Sequence, residues 1–324
     1  MSARPEAYRC VVLPAFHADL VVEERAFGEL RGPDAAWYRV LAAGVCHSDV
    51  HVAEGRWPAL PTPLVMGHEV VVETADGPCV VYPPWGCGDC RFCAATEEQL
   101  CGHVEEAGLV HDGGYAEWIQ VPHPRYLLPI GDLDPAASAT FGCSSLTPYR
   151  AVRKALDRLA PGVRALQIGA GGLGQYGVQY LRAMSDAHLV VADLKEGARQ
   201  RALALGAHEA CAPDELEGPF DVVFDYVGAD ETLASARDLV RRGGLVVLVG
   251  AWEGSVPFGF SRVPHETWWT QSMWGSLDDV AEVIRIAQRG DLDFQVERIP
   301  LDAAGEAHAR IRRGEVDGRL VLIP

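Results

Sequence analysis

From Val163 onward the chain alternates short apolar runs with stretches of helical spacing. Nothing else in its 324 residues constrains the fold as strongly. VRALQIG (163–169), HLVVADL (188–194), FDVVFDYVG (220–228) and LVVLVGAW (245–252) read as buried strands. Between them GLGQYGVQYLRAM, GARQRALALGA and DETLASARDLVRR read as helices. Apolar strands separated by helices cannot pair as hairpins, so this half of the chain is expected to form a parallel, doubly wound sheet with helices on both faces. Residues before 150 have another character. Runs such as CVVL (10–13), WYRVLAAG (37–44) and HEVVVET (68–74) are broken by GPD at 32, LPTP at 60 and YPPWG at 82, the pattern of a loop-rich β domain. A helix over LDDVAEVIRIAQRG (277–290) and the closing GRLVLIP are expected to return to that first domain. The expected division is residues 1–148 with 277–324, and residues 149–276.

Charge narrows the range of partners. With 28 Lys and Arg against 45 Asp and Glu, the net charge of −17 argues against a nucleic acid or an anionic membrane, both of which need a basic footprint. The apolar runs are far too short to span a bilayer and no export signal is visible, so the expected location is the cytoplasm.

The first helix of the alternating half opens on G-A-G-G-L-G (169–174), directly after a strand. Gly169 permits a tight turn, Gly171 lets the backbone approach a pyrophosphate, and Gly174 allows close packing of helix on strand. Gly172 and Leu173 complete the loop, and the helix N-terminus offers unpaired N–H groups to phosphates. Asp193 ends the next strand, where a carboxylate can bind a ribose diol and repel a 2′-phosphate, which favours NAD over NADP. The competing reading is a glycine-rich turn of another α/β fold with Asp193 as a helix cap.

Four of the nine cysteines stand together as G-C-G-D-C-R-F-C-(x7)-C. Cys87, Cys90, Cys93 and Cys101 could converge on one ion, and four thiolates leave no open position, as in a structural zinc site. An iron–sulfur cluster and disulfides are the alternatives. Cys46, His68 and Cys143 are further potential ligands, but spacing alone does not connect them, and each could equally be buried packing.

Further motifs join these: G-V-C-H-S-D (44–49), G-H-E (67–69), G-G-Y-A-E (113–117) and L-T-P-Y-R-A (146–151). In this order and approximate spacing the chain resembles the zinc-dependent medium-chain alcohol dehydrogenases along nearly its whole length. YPPWGCGDC (82–90), PIGDLDP (129–135) and LTPYRA most resemble the bacterial NAD-dependent secondary alcohol dehydrogenases. The resemblance implies a GroES-like, β-rich catalytic domain carrying a structural zinc lobe, together with a Rossmann domain. Cys46, His68 and Cys143 would hold a catalytic zinc, the Cys2His set for which alcohol dehydrogenases are the known example. Glu69 would lie near that zinc, and Asp49 would orient His68. Ser48 would contact the substrate oxygen and His51 would relay its proton to solvent. His47 and Arg319 resemble pyrophosphate contacts, Leu173 and Thr147 nicotinamide contacts, and Trp57, Leu60, Met273 and Trp274 walls of the substrate pocket.

The implied activity is transfer of a hydride between NAD and an alcohol, secondary or primary, or its carbonyl counterpart, with one catalytic and one structural zinc, in a homodimer or homotetramer. Reduction of a conjugated C=C or C=N bond, or a catalytically idle NAD- and zinc-binding role, would be the alternatives. Two departures from the family stand out. Glu69 and Cys87 are 18 positions apart, about ten fewer than in relatives, and a G-D-x-V segment is missing. The basic residue usual five positions after the ribose-binding Asp is Ala198, with Lys195 and Arg199 nearby.

Overall fold

Six parallel strands form a sheet in the order Glu209–Cys211, His188–Ala192, Arg164–Ile168, Phe220–Asp225, Val240–Leu248, Trp268–Gln271. Counted along the chain, this is the order 3-2-1-4-5-6 of a doubly wound dinucleotide-binding sheet. In this computed structural model, which describes residues 4–324, the sheet belongs to one of two compact units, Thr147–Gly275 with Asp291–Asp293. The central strands are buried on both faces, and Leu166, Ile168, Val190, Phe220, Val223 and Val246 make its apolar core. At roughly 1.5–3 kcal/mol per buried side chain of this size, that core is a leading source of the unit's stability.

The topological switch point lies where the strands Arg164–Ile168 and Phe220–Asp225 run side by side and their connections leave on opposite sides. There the glycine-rich turn leads into the helix Gly174–Met184. A Cβ at position 174 would sit 2.2 Å from the carbonyl oxygen of Gly169, so only glycine lets the turn close this tightly.

The other unit comprises the residues up to Leu146, Ser276–Gly290 and Phe294–Pro324. Its larger sheet runs Leu127–Pro129, Gly77–Val81, Glu69–Thr74, Ala36–Gly44, Arg319–Ile323, Val296–Pro300, with Trp118–Val121 also paired to Ala36–Gly44. The C-terminal strand thus pairs with the end of Ala36–Gly44, through Val321↔Gly44 and Leu322↔Ala43. A three-stranded sheet (Val21–Ala26, Ala7–Leu13, Leu64–Val65) and a two-stranded one (Pro84–Trp85, Glu105–Glu106) complete the unit.

The shortened segment after Glu69 is a hairpin. Glu69–Thr74 and Gly77–Val81 pair down to Thr74↔Gly77, leaving Ala75 and Asp76 as the turn. The Thr74 hydroxyl donates to the Gly77 carbonyl at 2.8 Å and accepts from the Asp76 N–H at 3.2 Å, closing it. Among the described residues no helix is long and apolar enough to cross a membrane.

Candidate active site and metal centres

The helix His47–Ala53 starts at Cys46 in a local arrangement that the G-V-C-H-S-D motif dictates. Cys46 is the N-cap, and Asp49, three residues on, reaches back so that its Oδ2 accepts the Cys46 N–H at 2.8 Å. The Tyr115 hydroxyl donates to the same oxygen at 3.0 Å, and Asp49 Oδ1 lies 3.3 Å from His68 Nδ1. One fully buried carboxylate therefore fixes the Cys46 turn and the His68 ring together. His68 follows Gly67, whose φ of +94° turns the chain just before the strand Glu69–Thr74. A Cβ on Gly67 would meet the Tyr115 ring at 2.4 Å.

Cys46, His68, Glu69 and Cys143 converge, with one donor atom from each lying within 4.8 Å of the others. All four are buried. The Cys143 thiol donates to the Cys46 sulfur, which holds Cys46 well below the usual thiol range and Cys143 well above it. Two sulfurs, an imidazole and a carboxylate at this separation fit a four-coordinate zinc ion. Burial pushes the Glu69 carboxyl up, against the pull of Arg319. Glu69 Oε1 accepts from Arg319 Nη2 at 2.5 Å and from the Ser144 N–H at 3.0 Å. Ser48 Oγ lies 3.6 Å from Cys46 Sγ, so the serine hydroxyl stands beside the cluster.

His51 is on the same helix and is 3% exposed, where the sequence suggested the solvent end of a relay. Its ring lies 4.9 Å from that of His47 and 5.9 Å from Trp57. Burial, with His47 and Arg56 adding repulsion, pulls its pKa down to about 4, so the ring is neutral at ordinary pH and able to accept a proton.

The second cluster is built by the loop Gly86–Cys101. Cys90 Sγ lies 3.5 Å from Cys93 Sγ, Cys87 Sγ lies 4.0 Å from Cys93 Sγ, and Cys101 Sγ accepts the N–H groups of Cys87 and His103 at 3.5 and 3.3 Å. With Zn–S bonds of about 2.3 Å, the sulfurs of a tetrahedral site stand roughly 3.8 Å apart, and these distances bracket that edge. The four sulfurs lie within 4.8 Å of one another, a separation that fits one zinc ion.

In the dinucleotide-binding unit, Asp193 Oδ2 accepts the Ala170 N–H and its Oδ1 the Lys195 N–H, both at 2.8 Å. The carboxylate thus braces the glycine turn and keeps lone pairs for a ribose. A Cβ at Gly171 would meet no protein atom within 4 Å, so the outer face of the loop is open to a pyrophosphate. Arg199 is committed to the carbonyl oxygens of Asp193 and Leu194, at 2.8 and 3.1 Å, and to Glu196. Ala198, which stands where the cation was expected, is buried in the helix Glu196–Ala204.

The remaining expected residues are distributed unevenly. Arg319 is 5% exposed with one end committed to Glu69, while its Nε has no partner among the described residues. His47 is exposed, and Trp57 and Leu60 share a turn closed by the Leu60 N–H to the Trp57 carbonyl at 3.0 Å. Thr147, Met273 and Trp274 belong to the dinucleotide-binding unit. Thr147 is buried there, and Met273 is 60% exposed whereas Trp274 is 5% exposed.

Sequence reasoning passed over Gln167. It is wholly buried in the strand Arg164–Ile168, and its Nε2 donates to the carbonyl oxygens of Gly169 and Gly174, both at 2.9 Å. It clamps together the two ends of the glycine loop. The available signal was a single polar residue in the apolar run VRALQIG.

Comparison with known proteins agrees with this geometry. Residues 172–289 match the zinc-binding dehydrogenase family and residues 32–132 the alcohol dehydrogenase GroES-like domain. The chain is 34% identical to an alcohol dehydrogenase of Geobacillus stearothermophilus, over 88% of its own length and 90% of that protein's. The solved alcohol dehydrogenase of the archaeon Aeropyrum pernix superposes with a TM-score of 0.90 at 29% identity, covering 98% of this chain and 100% of that one. Acetophenone reductase from Geotrichum candidum, solved in complex with NAD, gives 0.89 at 28% identity, over 100% and 99% of the two chains. The chain belongs to the zinc-type medium-chain alcohol dehydrogenase family.

Two experiments check these centres. Cys46→Ser is expected to leave a folded protein that retains one zinc of two by elemental analysis, whereas Cys90→Ser destabilises the fold because binding at a closed site is coupled to folding. Full zinc content in both variants would refute the ligand sets. Replacing Gln167 with Leu removes two buried hydrogen bonds from the loop and is expected to weaken NADH binding about tenfold, with kcat nearly unchanged. Fluorescence titration with NADH reads that loss directly, and an unaltered Kd would dismiss the clamp.

Proposed function

We propose that this protein is an NAD-dependent alcohol dehydrogenase and ketone reductase, interconverting a secondary or primary alcohol and its carbonyl form. The observation that carries the proposal is the convergence of Cys46, His68 and Cys143 with the Ser48 hydroxyl beside them. Zinc and NAD are its cofactors. Cys46, His68 and Cys143 would hold one zinc ion, with Glu69 as the exchangeable fourth donor, and the cysteines at 87, 90, 93 and 101 would hold the other. The first ion supplies a Lewis acid that polarises the substrate oxygen, and NAD supplies the acceptor and donor of the hydride.

The chain's own residues handle position and protons. Ser48 would bind the substrate oxygen and accept its proton while releasing its own toward the cofactor ribose, and His51, neutral and on the same helix face, would carry the proton onward. Asp49 keeps His68 in one tautomer. Asp193 and the loop at Gly169, Gly171, Gly172, Leu173 and Gly174 bind the dinucleotide, and His47, Thr147 and Arg319 add contacts to it. Trp57, Leu60, Met273 and Trp274 line the substrate pocket. Reduction of a conjugated bond would need neither Ser48 nor His51, and the Ser48 hydroxyl beside the metal cluster favours the carbonyl reaction. The reading extends to a cytoplasmic homodimer or homotetramer.

NADH is expected to give a higher kcat/KM than NADPH, because the Asp193 carboxylate would face the 2′-phosphate and Arg199 is already engaged. Steady-state comparison of the two cofactors decides it, and a preference for NADPH would overturn this part of the reading.

Ser48→Ala should lower alcohol oxidation by about 10²–10⁴-fold with both zinc ions retained, the usual worth of a positioned acid–base group. His51→Gln should cost less. Because the wild-type imidazole stays unprotonated down to about pH 4, its rate should hold as pH falls, whereas the variant should lose rate progressively on the acid side. Identical pH–rate profiles would remove His51 from the relay.

A further inference from the structure

Behind the metal cluster the hydrogen bonding does not stop at Asp49. The Tyr115 hydroxyl, fully buried, has a single proton and spends it on Asp49 Oδ2 at 3.0 Å. Its oxygen then faces His308 Nε2 at 3.3 Å as an acceptor, so that nitrogen must carry the hydrogen. His308 is 1% exposed on the helix Ala304–Arg312, which packs against the helix His47–Ala53, and its Nδ1 has no partner among the described residues. The Tyr115 backbone is pinned as well, its N–H on the Met66 carbonyl at 2.9 Å and its carbonyl accepting the Val11 N–H at 2.7 Å. The two rings meet edge to face, with centroids 5.9 Å apart and planes at 68°.

We propose that Tyr115 and His308 are positioning residues for the catalytic metal centre, acting as one directional column in which His308 orients the Tyr115 hydroxyl and Tyr115 in turn holds Asp49 against His68. Every donor in the column points toward Asp49: His308 to Tyr115, Tyr115 to Asp49 Oδ2 and the Cys46 N–H to Asp49 Oδ2, while Asp49 Oδ1 lies 3.3 Å from His68 Nδ1. Without the hydroxyl, Asp49 Oδ2 keeps only the Cys46 N–H, and the carboxylate is free to turn away from His68. Without the His308 N–H, the hydroxyl oxygen is left buried and unsatisfied, and the tyrosine proton is no longer directed at Asp49 alone. Burial holds His308 neutral, with its pKa pushed down to about 4, so the column works through hydrogen-bond direction and not through charge. A histidine with one nitrogen satisfied and the other unpartnered is a poor choice for packing alone, since an apolar side chain would fill the space without burying a polar atom.

The proposal rests on His68 being a zinc ligand, and the experiment separates the two. Zinc release to a chromogenic chelator is followed on the fully loaded enzyme, with Cys46→Ser included to identify which phase belongs to the catalytic site. Tyr115→Phe is expected to accelerate that phase about tenfold and leave the structural-site phase unchanged, the low end of what loss of a ligand-orienting partner costs. His308→Leu should accelerate it several-fold, and His308→Gln, whose amide can still donate to Tyr115, should restore most of the wild-type rate. In the Tyr115→Phe background His308→Leu should add nothing, because the atom through which it acts is gone. Additive effects in the double variant, or equal acceleration of both phases, would show general loosening of the fold and overturn the column. If Cys46→Ser itself releases both phases unaltered, the ligand assignment fails first. Thermal unfolding of each variant checks that it is folded, and Tyr115→Phe, which keeps the ring packed on Gly67, supplies the decisive comparison should His308→Leu fold poorly.

Discussion

A carboxylate taken wholly out of water must be met by donors or it destabilises the fold by several kcal/mol. Two such groups organise the metal-binding unit. Asp49 is met by the Cys46 N–H, the Tyr115 hydroxyl and the His68 ring. Glu69 is met by Arg319 and the Ser144 N–H. Each joins segments far apart in the chain, and each sits against a residue of the catalytic cluster. Arg319 opens the C-terminal strand, so the Glu69 pair and the strand register Val321↔Gly44, Gly44↔Glu69 fix one another. The buried charges are compatible with the fold only when the ligands are in place. The site and the core are in this sense one construction.

The two metal centres solve different problems with similar atoms. The four-cysteine loop lies near the surface, with Cys87 exposed, and it contains little secondary structure besides the short helix Arg91–Ala94. Its order comes from backbone N–H groups directed at sulfur and from the ion itself, so its ligands can be close in sequence. The catalytic cluster is buried and draws its donors from a helix cap, a strand start and the residue after a short 3-10 turn, Thr140–Gly142. Those elements hold the donors through backbone hydrogen bonding and buried packing, as a site that must position a reacting atom requires.

That contrast also decides how much could be read from the sequence. The alternating strands and helices after Val163, the glycine loop and the four-cysteine spacing all express themselves within about thirty residues, and each is visible as a pattern. The convergence of residues 46, 68 and 143 has no such local signature; only the family motifs linked them. Gln167, Tyr115 and His308 escaped because their partners are backbone carbonyls or side chains brought near by the fold. The burial of His51 was hidden as well, since V-H-V reads equally well as a surface strand or a helix face. Element edges moved for physical reasons: the strand Val240–Leu248 begins earlier than its apolar run because Val240 pairs with Phe220, and Arg241 to Gly244 fall in the register shift before Leu245 pairs with Val222.

The shortened segment between Glu69 and Cys87 shows what this arrangement tolerates. Chain length can be removed without moving a site only where the flanking residues are held by something else. Glu69 is held by Arg319 and by pairing with Gly44, and Val81, near the other end, pairs directly with Val70. The sheet therefore sets where both ends of the hairpin lie, whatever joins them. A two-residue turn closed by Thr74 is nearly the shortest connection that antiparallel strands allow. Beyond Val81 the chain reaches Cys87 through Tyr82 and Trp85, both buried, with the Trp85 indole N–H donating to the Tyr82 carbonyl at 2.9 Å. The route from one metal centre to the other is thus set by strand register and two buried aromatic rings.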